Sequence, residues 1–168
     1  MNRKRGQSNV FFGGGWEQFT RMKDFIDSNA FMDDCMANLS SLGTKIEELI
    51  KGHIINQDLP WKPLSEITVA FKGHSDIYIE TGDLYDNIRV ETMFTGPKEA
   101  EMVVYPSGTN KHSGISYQVI ANWLEYGCNA AHIPPRPLWR VVYEEMQSTS
   151  EFENMASTLL KTAIPGRI

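Results

Sequence analysis

The chain is poor in the residues that chemistry needs. Its two cysteines, Cys35 and Cys128, are far apart and fit no disulfide framework, so reduced thiols and a cytoplasmic origin are the default. Its four histidines, His53, His74, His112 and His132, are scattered, and none forms a metal-ligand spacing with a cysteine or another histidine. No apolar run approaches the roughly 20 residues of a membrane span, and no basic start leads into a secretory apolar core. Gly13-Gly14-Gly15 lacks the Gly-Lys-Ser/Thr that completes a phosphate-binding loop, so it reads as a hinge. Asp33-Asp34 and Glu144-Glu145 sit on expected helices as solvated faces, and no carboxylate pair stands out as acid and base. No cofactor or metal is expected.

What is present suits one domain. The 168 residues are 41% hydrophobic and 22% charged, with a net charge of −5 that gives no general attraction to nucleic acid or anionic lipid. Residues 1–15 form a basic arm through Arg3, Lys4 and Arg5, and 16–168 form the domain. Val10-Phe11-Phe12 has the look of a short strand. Trp16, Phe19, Met22 and Phe25/Ile26 recur at helical spacing and stop near Ser28-Asn29, either of which can cap the next helix. That helix carries Phe31, Cys35, Leu39, Leu42, Ile46, Leu49/Ile50 and His53 in steps of three and four. Cys35, lying on this line, is a small buried hydrophobe.

Periodicity fails from Ile55 to Gly82, where Pro60, Pro63, Gly73 and Gly82 interrupt the chain and Ser65 to Phe71 leaves room for a short helical turn. So long a loop in a compact domain is functional or mobile. Its aromatics Trp61, Phe71 and Tyr78 are expected to be exposed, as a partner surface. Asp86 to Phe94 then alternates polar and apolar, Thr95-Gly96-Pro97 turns, and Ala100 to Tyr105 returns as the second strand of a hairpin. Pro106 to Gly114 is a polar loop. Val119/Ile120, Trp123/Leu124 and Tyr126 mark a helix capped by Gly127. Leu138, Val141/Val142 and Met146 begin the last helix, with a break at Ser148-Thr149-Ser150 before Phe152, Met155/Ala156, Leu159/Leu160 and Ala163. The order reads as α+β, a small antiparallel sheet flanked by N-terminal and C-terminal helices.

One dense stretch, EYGCNAAHIPPRPLW (125–139), admits a chemical reading and a structural one. As nucleophile and base, Cys128 and His132 would make a small cysteine hydrolase. They stand four apart in a turn, however, with no third group to orient the imidazole. Structurally, Pro134, Pro135 and Pro137 stiffen a helix-to-helix corner, and Pro135 or Pro137 suits the first turn of the last helix. Arg136 would then oppose that helix's dipole, which predicts a compensating ion pair with Glu125 across the turn capped by Gly127.

Two motifs carry a family resemblance. Thr81-Gly82-Asp83-Leu84-Tyr85-Asp86-Asn87-Ile88 resembles the TG-x-L-x-x-(S/N)-I element of tailed-phage virion-morphogenesis proteins. Ile120 to Gly127 followed by Ile133-Pro134-Pro135-Arg136-Pro137-Leu138 resembles their second signature, and Trp61-Lys62-Pro63-Leu64-Ser65 is similar to a third run, so the likeness covers Trp61 to about Val142. The resemblance implies a non-enzymatic neck, tail-completion or minor tail protein, located in the virion at the head–tail junction. It implies a homo-oligomeric ring, commonly a hexamer, between a connector or stopper ring and a tail tube or terminator ring. DNA would pass through the lumen without specific binding, and no membrane is involved. The loop from Asn56 to Gly82, with Trp61, Phe71, Tyr78, Thr81, Gly82 and Leu84, is the expected partner interface. A third reading is a monomeric prophage binding module.

Overall fold

The structure, a computed structural model, describes residues 26–97 and 99–163, with side chains as far as Thr158. The arm, the strand at 10–12, nearly all of the helix expected over 16–26 and the closing Pro165-Gly166 lie outside the described residues.

Helix α1 (Asn29–Asn56) is 28 residues long, hence about 42 Å. Ser28 caps it by accepting the Phe31 N–H at 3.3 Å, and Gln57 ends it in the left-handed conformation with its own N–H on the His53 carbonyl. The apolar line expected along α1 is there, but burial deepens along it. Phe31, Cys35 and Leu39 are half-covered, whereas Leu42, Gly43, Ile50 and Ile54 are buried.

Strands β1 (Ile88–Gly96) and β2 (Glu99–Pro106) pair antiparallel from Ile88↔Pro106 to Phe94↔Ala100, with a bulge between Phe94 and Gly96. This two-stranded sheet lies on α1. Gly43 permits the contact, because a Cβ there would stand 2.3 Å from Val90 Cγ1. The fold is therefore α+β, with a two-stranded antiparallel sheet flanked by helices, as the order of patterns predicts.

Short helices α2 (Glu66–Lys72) and α3 (Asp83–Asp86) punctuate the loop that enters the hairpin. α4 (Tyr117–Tyr126), a 3-10 turn at Asn129–Ala131, α5 (Trp139–Ser148) and α6 (Glu151–Ala163) complete the order. Ser65 and Ser116 cap α2 and α4 by accepting the N–H groups of Thr68 and Val119. The expected break between α5 and α6 occurs at Thr149-Ser150, where Ser150 turns the chain with φ 55°. The most deeply buried large side chains are Ile50, Ile54, Ile88, Leu138, Val142 and Met146. They tie the C-terminal half of α1, the base of the hairpin and the first turns of α5 into one core, each contributing about 1.5–3 kcal/mol.

Candidate functional site

The corner at 125–139 takes its shape from backbone bonds. Cys128 and Ile133 exchange N–H···O bonds of 2.8 and 3.0 Å, closing a small turn around the 3-10 segment. The Arg136 N–H reaches back to the Leu124 carbonyl at 2.6 Å. Gly127 sits at φ 83°, and a Cβ there would lie 3.1 Å from the Ile133 carbonyl oxygen and from Pro135, so glycine is needed both for conformation and for space.

The ion pair expected between Glu125 and Arg136 is not what forms. α5 starts at Trp139, beyond the prolines, and neither Pro135 nor Pro137 occupies its first turn. Its N-cap position falls on Leu138, which has no acceptor to offer. Glu125, buried on α4, supplies one from thirteen residues upstream. Its Oε2 accepts the N–H groups of Leu138 and Trp139 at 2.7 and 3.0 Å, and its Oε1 accepts that of Arg140 at 3.2 Å. A carboxylate at the positive end of the α5 dipole is electrostatically well placed. Arg136, freed of the dipole conflict by that later start, donates from Nε to the Lys62 carbonyl at 2.9 Å and from Nη2 to that of Pro63 at 3.3 Å.

The long loop folds onto this corner, which corrects the expectation that its aromatics are displayed. Trp61 and Tyr78 are buried, with ring centroids 5.3 Å apart. Trp61 Nε1–H donates to the Pro137 carbonyl at 2.8 Å, and the Tyr78 hydroxyl donates to that of Arg136 at 2.7 Å. Aromatic rings with a satisfied polar tip belong in a core. Burial pushes the Tyr78 phenol far above its ordinary range, and the Glu125 charge adds to this. Gln57 grips the loop from the end of α1, accepting the Ile77 N–H at 2.8 Å and donating to the Ile77 carbonyl at 2.9 Å. Leu84 is buried too. Thr81 is exposed, and its hydroxyl accepts the Asp83 N–H at the start of α3, while Gly82 takes the left-handed position before that helix at φ 90°. Of the six expected interface residues, Phe71 is the aromatic that remains outside, at 89% exposed.

Loop, α2, α4 and corner together enclose an open groove of about 820 Å³. Leu64, Ile79, Leu84, Ile120 and Leu124 form its apolar lining, and Ile67 and Phe71 on α2 stand at its edge. Its charges are Lys62, Lys72 and Arg136 against Glu80, a cationic patch on an acidic chain. Burial lowers the Lys72 pKa against the opposing pull of Glu80 and Asp76, with Arg136 reinforcing it, and the ammonium donates to the Asp76 carbonyl at 2.7 Å. Burial also lowers the Arg136 pKa, although a guanidinium keeps its proton. Arg136 is 5% exposed, and no carboxylate among the described residues lies within ion-pair distance of it.

Cys128 and His132 stand at the two ends of the 3-10 segment. His132 is exposed in the left-handed conformation, and no hydrogen bond joins its ring to the thiol among the described residues. Burial, with Asp34 adding, raises the Cys35 pKa. Among the described residues no group of three or more His, Cys, Asp or Glu side chains could hold a metal, and no helix is long and apolar enough to cross a membrane.

Sequence reasoning missed the groove and two of its supports, Gln57 and Asn110. Asn110 had a signal. It stands in a Ser/Gly-rich loop, where its Oδ1 accepts the N–H groups of His112 and Ser113 at 2.9 and 3.0 Å. Comparison with known proteins adds no relative: no family model matches the chain, and neither a curated protein nor a solved structure matches it.

Proposed function

We propose that the chain is a structural subunit of a tailed-phage virion, one that forms a ring, commonly hexameric, at the head–tail junction. The ring would complete or terminate the tail and join it to the connector. The observation that carries this reading is what the motif residues do. Trp61, Leu84, Glu125, Gly127, Arg136 and Pro137 come from three separate stretches, and they brace one another around an open groove. A motif set devoted to bracing suits a subunit whose work is to hold shape while touching neighbours on unlike faces. The acidic net charge of −5 suits a lumen through which DNA passes without sticking.

The test is genetic and visual. Infected cells lacking this chain should accumulate filled heads and tails that fail to join, and a tagged copy should appear at the junction of wild-type particles. Intact, infectious particles made without the chain refute the reading.

A further inference from the structure

The groove has a counterpart on the same chain. At its edge Ile67 is 70% exposed and Phe71 89%, and at the far end of the hairpin Met93 is 43% exposed and Phe94 53%. Single exposed hydrophobics are ordinary, but here they come two to a feature, Ile67 and Phe71 four apart on α2 and Met93 and Phe94 on the two faces of the hairpin end. The charges are opposite as well. The groove carries Lys62, Lys72 and Arg136 against Glu80, whereas the hairpin, residues 88–106, carries Glu91, Glu99 and Glu101 against Lys98 and, at its base, Arg89.

The hairpin cannot satisfy its own groove. Its base at Ile88↔Pro106 lies beside the groove, since Leu84, four residues earlier, lines it. Phe94 is six residues further along a continuous ladder, about 20 Å away at ~3.4 Å per residue. Cross-strand pairing from Ile88 to Phe94 and the packing of Val90 and Met102 on Gly43 hold that ladder against α1. A hairpin tip that seats there therefore comes from another molecule.

We propose that the hairpin tip of one copy seats in the groove of a second copy, with Phe94 on one face against Ile67 and Phe71, and with Glu99 and Glu101, on the other face beside Met93, turned toward Lys72 and Arg136. This rests on the reading above that the chain assembles with its own copies, and it names the two faces that meet. It also supplies what Arg136 lacks. Among the described residues no carboxylate pairs with this buried guanidinium, which two carbonyls hold, and a carboxylate arriving from a second copy compensates its charge. Because tip and groove are different surfaces, the contact is heterologous and repeats from copy to copy until a ring closes.

Cross-linking decides it. In a background with Cys35→Ala and Cys128→Ala, one full-length protein carries Ala70→Cys and another Thr95→Cys, each next to a contact residue that stays in place. Both new positions are exposed, so both proteins should match the parent in circular dichroism and melting. Mixed and treated with a short bis-maleimide, they should give the mixed dimer over either like pair by on the order of tenfold, the scale of one well-packed aromatic contact. Adding Glu99→Lys and Glu101→Lys to the tip partner should abolish that excess. Sedimentation should show Phe94→Ser weakening self-association of the otherwise native chain by about tenfold. Oligomers that persist without a 70–95 link overturn this inference and leave the ring reading standing. A chain that stays monomeric and gives no link overturns it as well, while the virion reading is judged separately by the particle experiment.

Discussion

Replacing Glu125 measures how much of the corner depends on one carboxylate. Glu125→Ala strips the acceptor from three consecutive backbone donors at the start of α5: the Leu138 N–H, which is fully buried, and those of Trp139 and Arg140, which are partly so. An ordinary N-cap is worth about 1 kcal/mol. Loss of a negative charge at a partly buried helix N-terminus adds about 1 kcal/mol, and stranding a buried donor adds a further ~1–2 kcal/mol. The expected loss is therefore about 3–4 kcal/mol, which for a chain of this size lowers the melting temperature by roughly 10 °C. Glu125→Gln keeps one acceptor oxygen but turns an amide N–H toward the backbone donors, so about half the loss is expected. Glu125→Asp retains the charge but is one methylene short of spanning three N–H groups, and should fall between the two. Urea unfolding of the three variants gives the ranking. A Glu125→Ala protein within ~0.5 kcal/mol of the parent refutes the capping argument.

Two further perturbations address the turn and the far end of α1. Gly127→Ala places a Cβ 3.1 Å from the Ile133 carbonyl oxygen and from Pro135 at φ 83°, and should cost about 2–3 kcal/mol by urea unfolding; no change would mean that the turn relaxes freely. His53 lies between Asp58 at 2.7 Å and Glu145 at 3.1 Å; burial lowers its pKa, but the hydrogen bonds to these two carboxylates outweigh that and leave it raised above the ordinary 6.5. A raised folded-state pKa means that the imidazolium stabilises fully below the ordinary value and that this share is lost as pH rises through the folded value. Melting temperature should therefore fall between those pH values in the parent and show less of that fall in His53→Gln; equal falls in both refute the assignment.

The parts of this fold legible in the sequence are those decided locally. Apolar residues at steps of three and four give α1, alternation gives the hairpin, and the Ser148-Thr149-Ser150 break separates α5 from α6. The long loop was misjudged because a polar, proline-broken segment says nothing about where its aromatics point. Trp61 and Tyr78 turned inward because the Pro137 and Arg136 carbonyls, about sixty to seventy-five residues away in sequence, accept their polar tips. Glu125 and Arg136 were rightly placed at one corner but wrongly paired. An acidic residue near an arginine looks the same in sequence whether its partner is the guanidinium or three backbone N–H groups. What decided between them was the helix start at Trp139, two residues beyond the last proline. Boundaries of that kind depend on which N–H groups find acceptors, and here the acceptor sits on another helix. The groove was invisible for a related reason, since its walls come from segments that only the folded corner brings together.

The uneven burial of α1 has a consequence for how the molecule opens. Its fully covered residues begin at Leu42, so the first half of a helix about 42 Å long rests on half-covered contacts, and the tie to α6 from Lys45 to Glu151 at 2.7 Å comes only beyond that half. Amide protection should therefore rise steadily along one continuous helix, from fraying at Asn29 to exchange only through global unfolding near Ile54. The stretch on which the hairpin rests lies at the midpoint of that gradient, at Gly43. A loosening that starts at the N-terminal end of α1 can thus reach the sheet before it disturbs the corner, and the hairpin can change its angle while the groove keeps its shape.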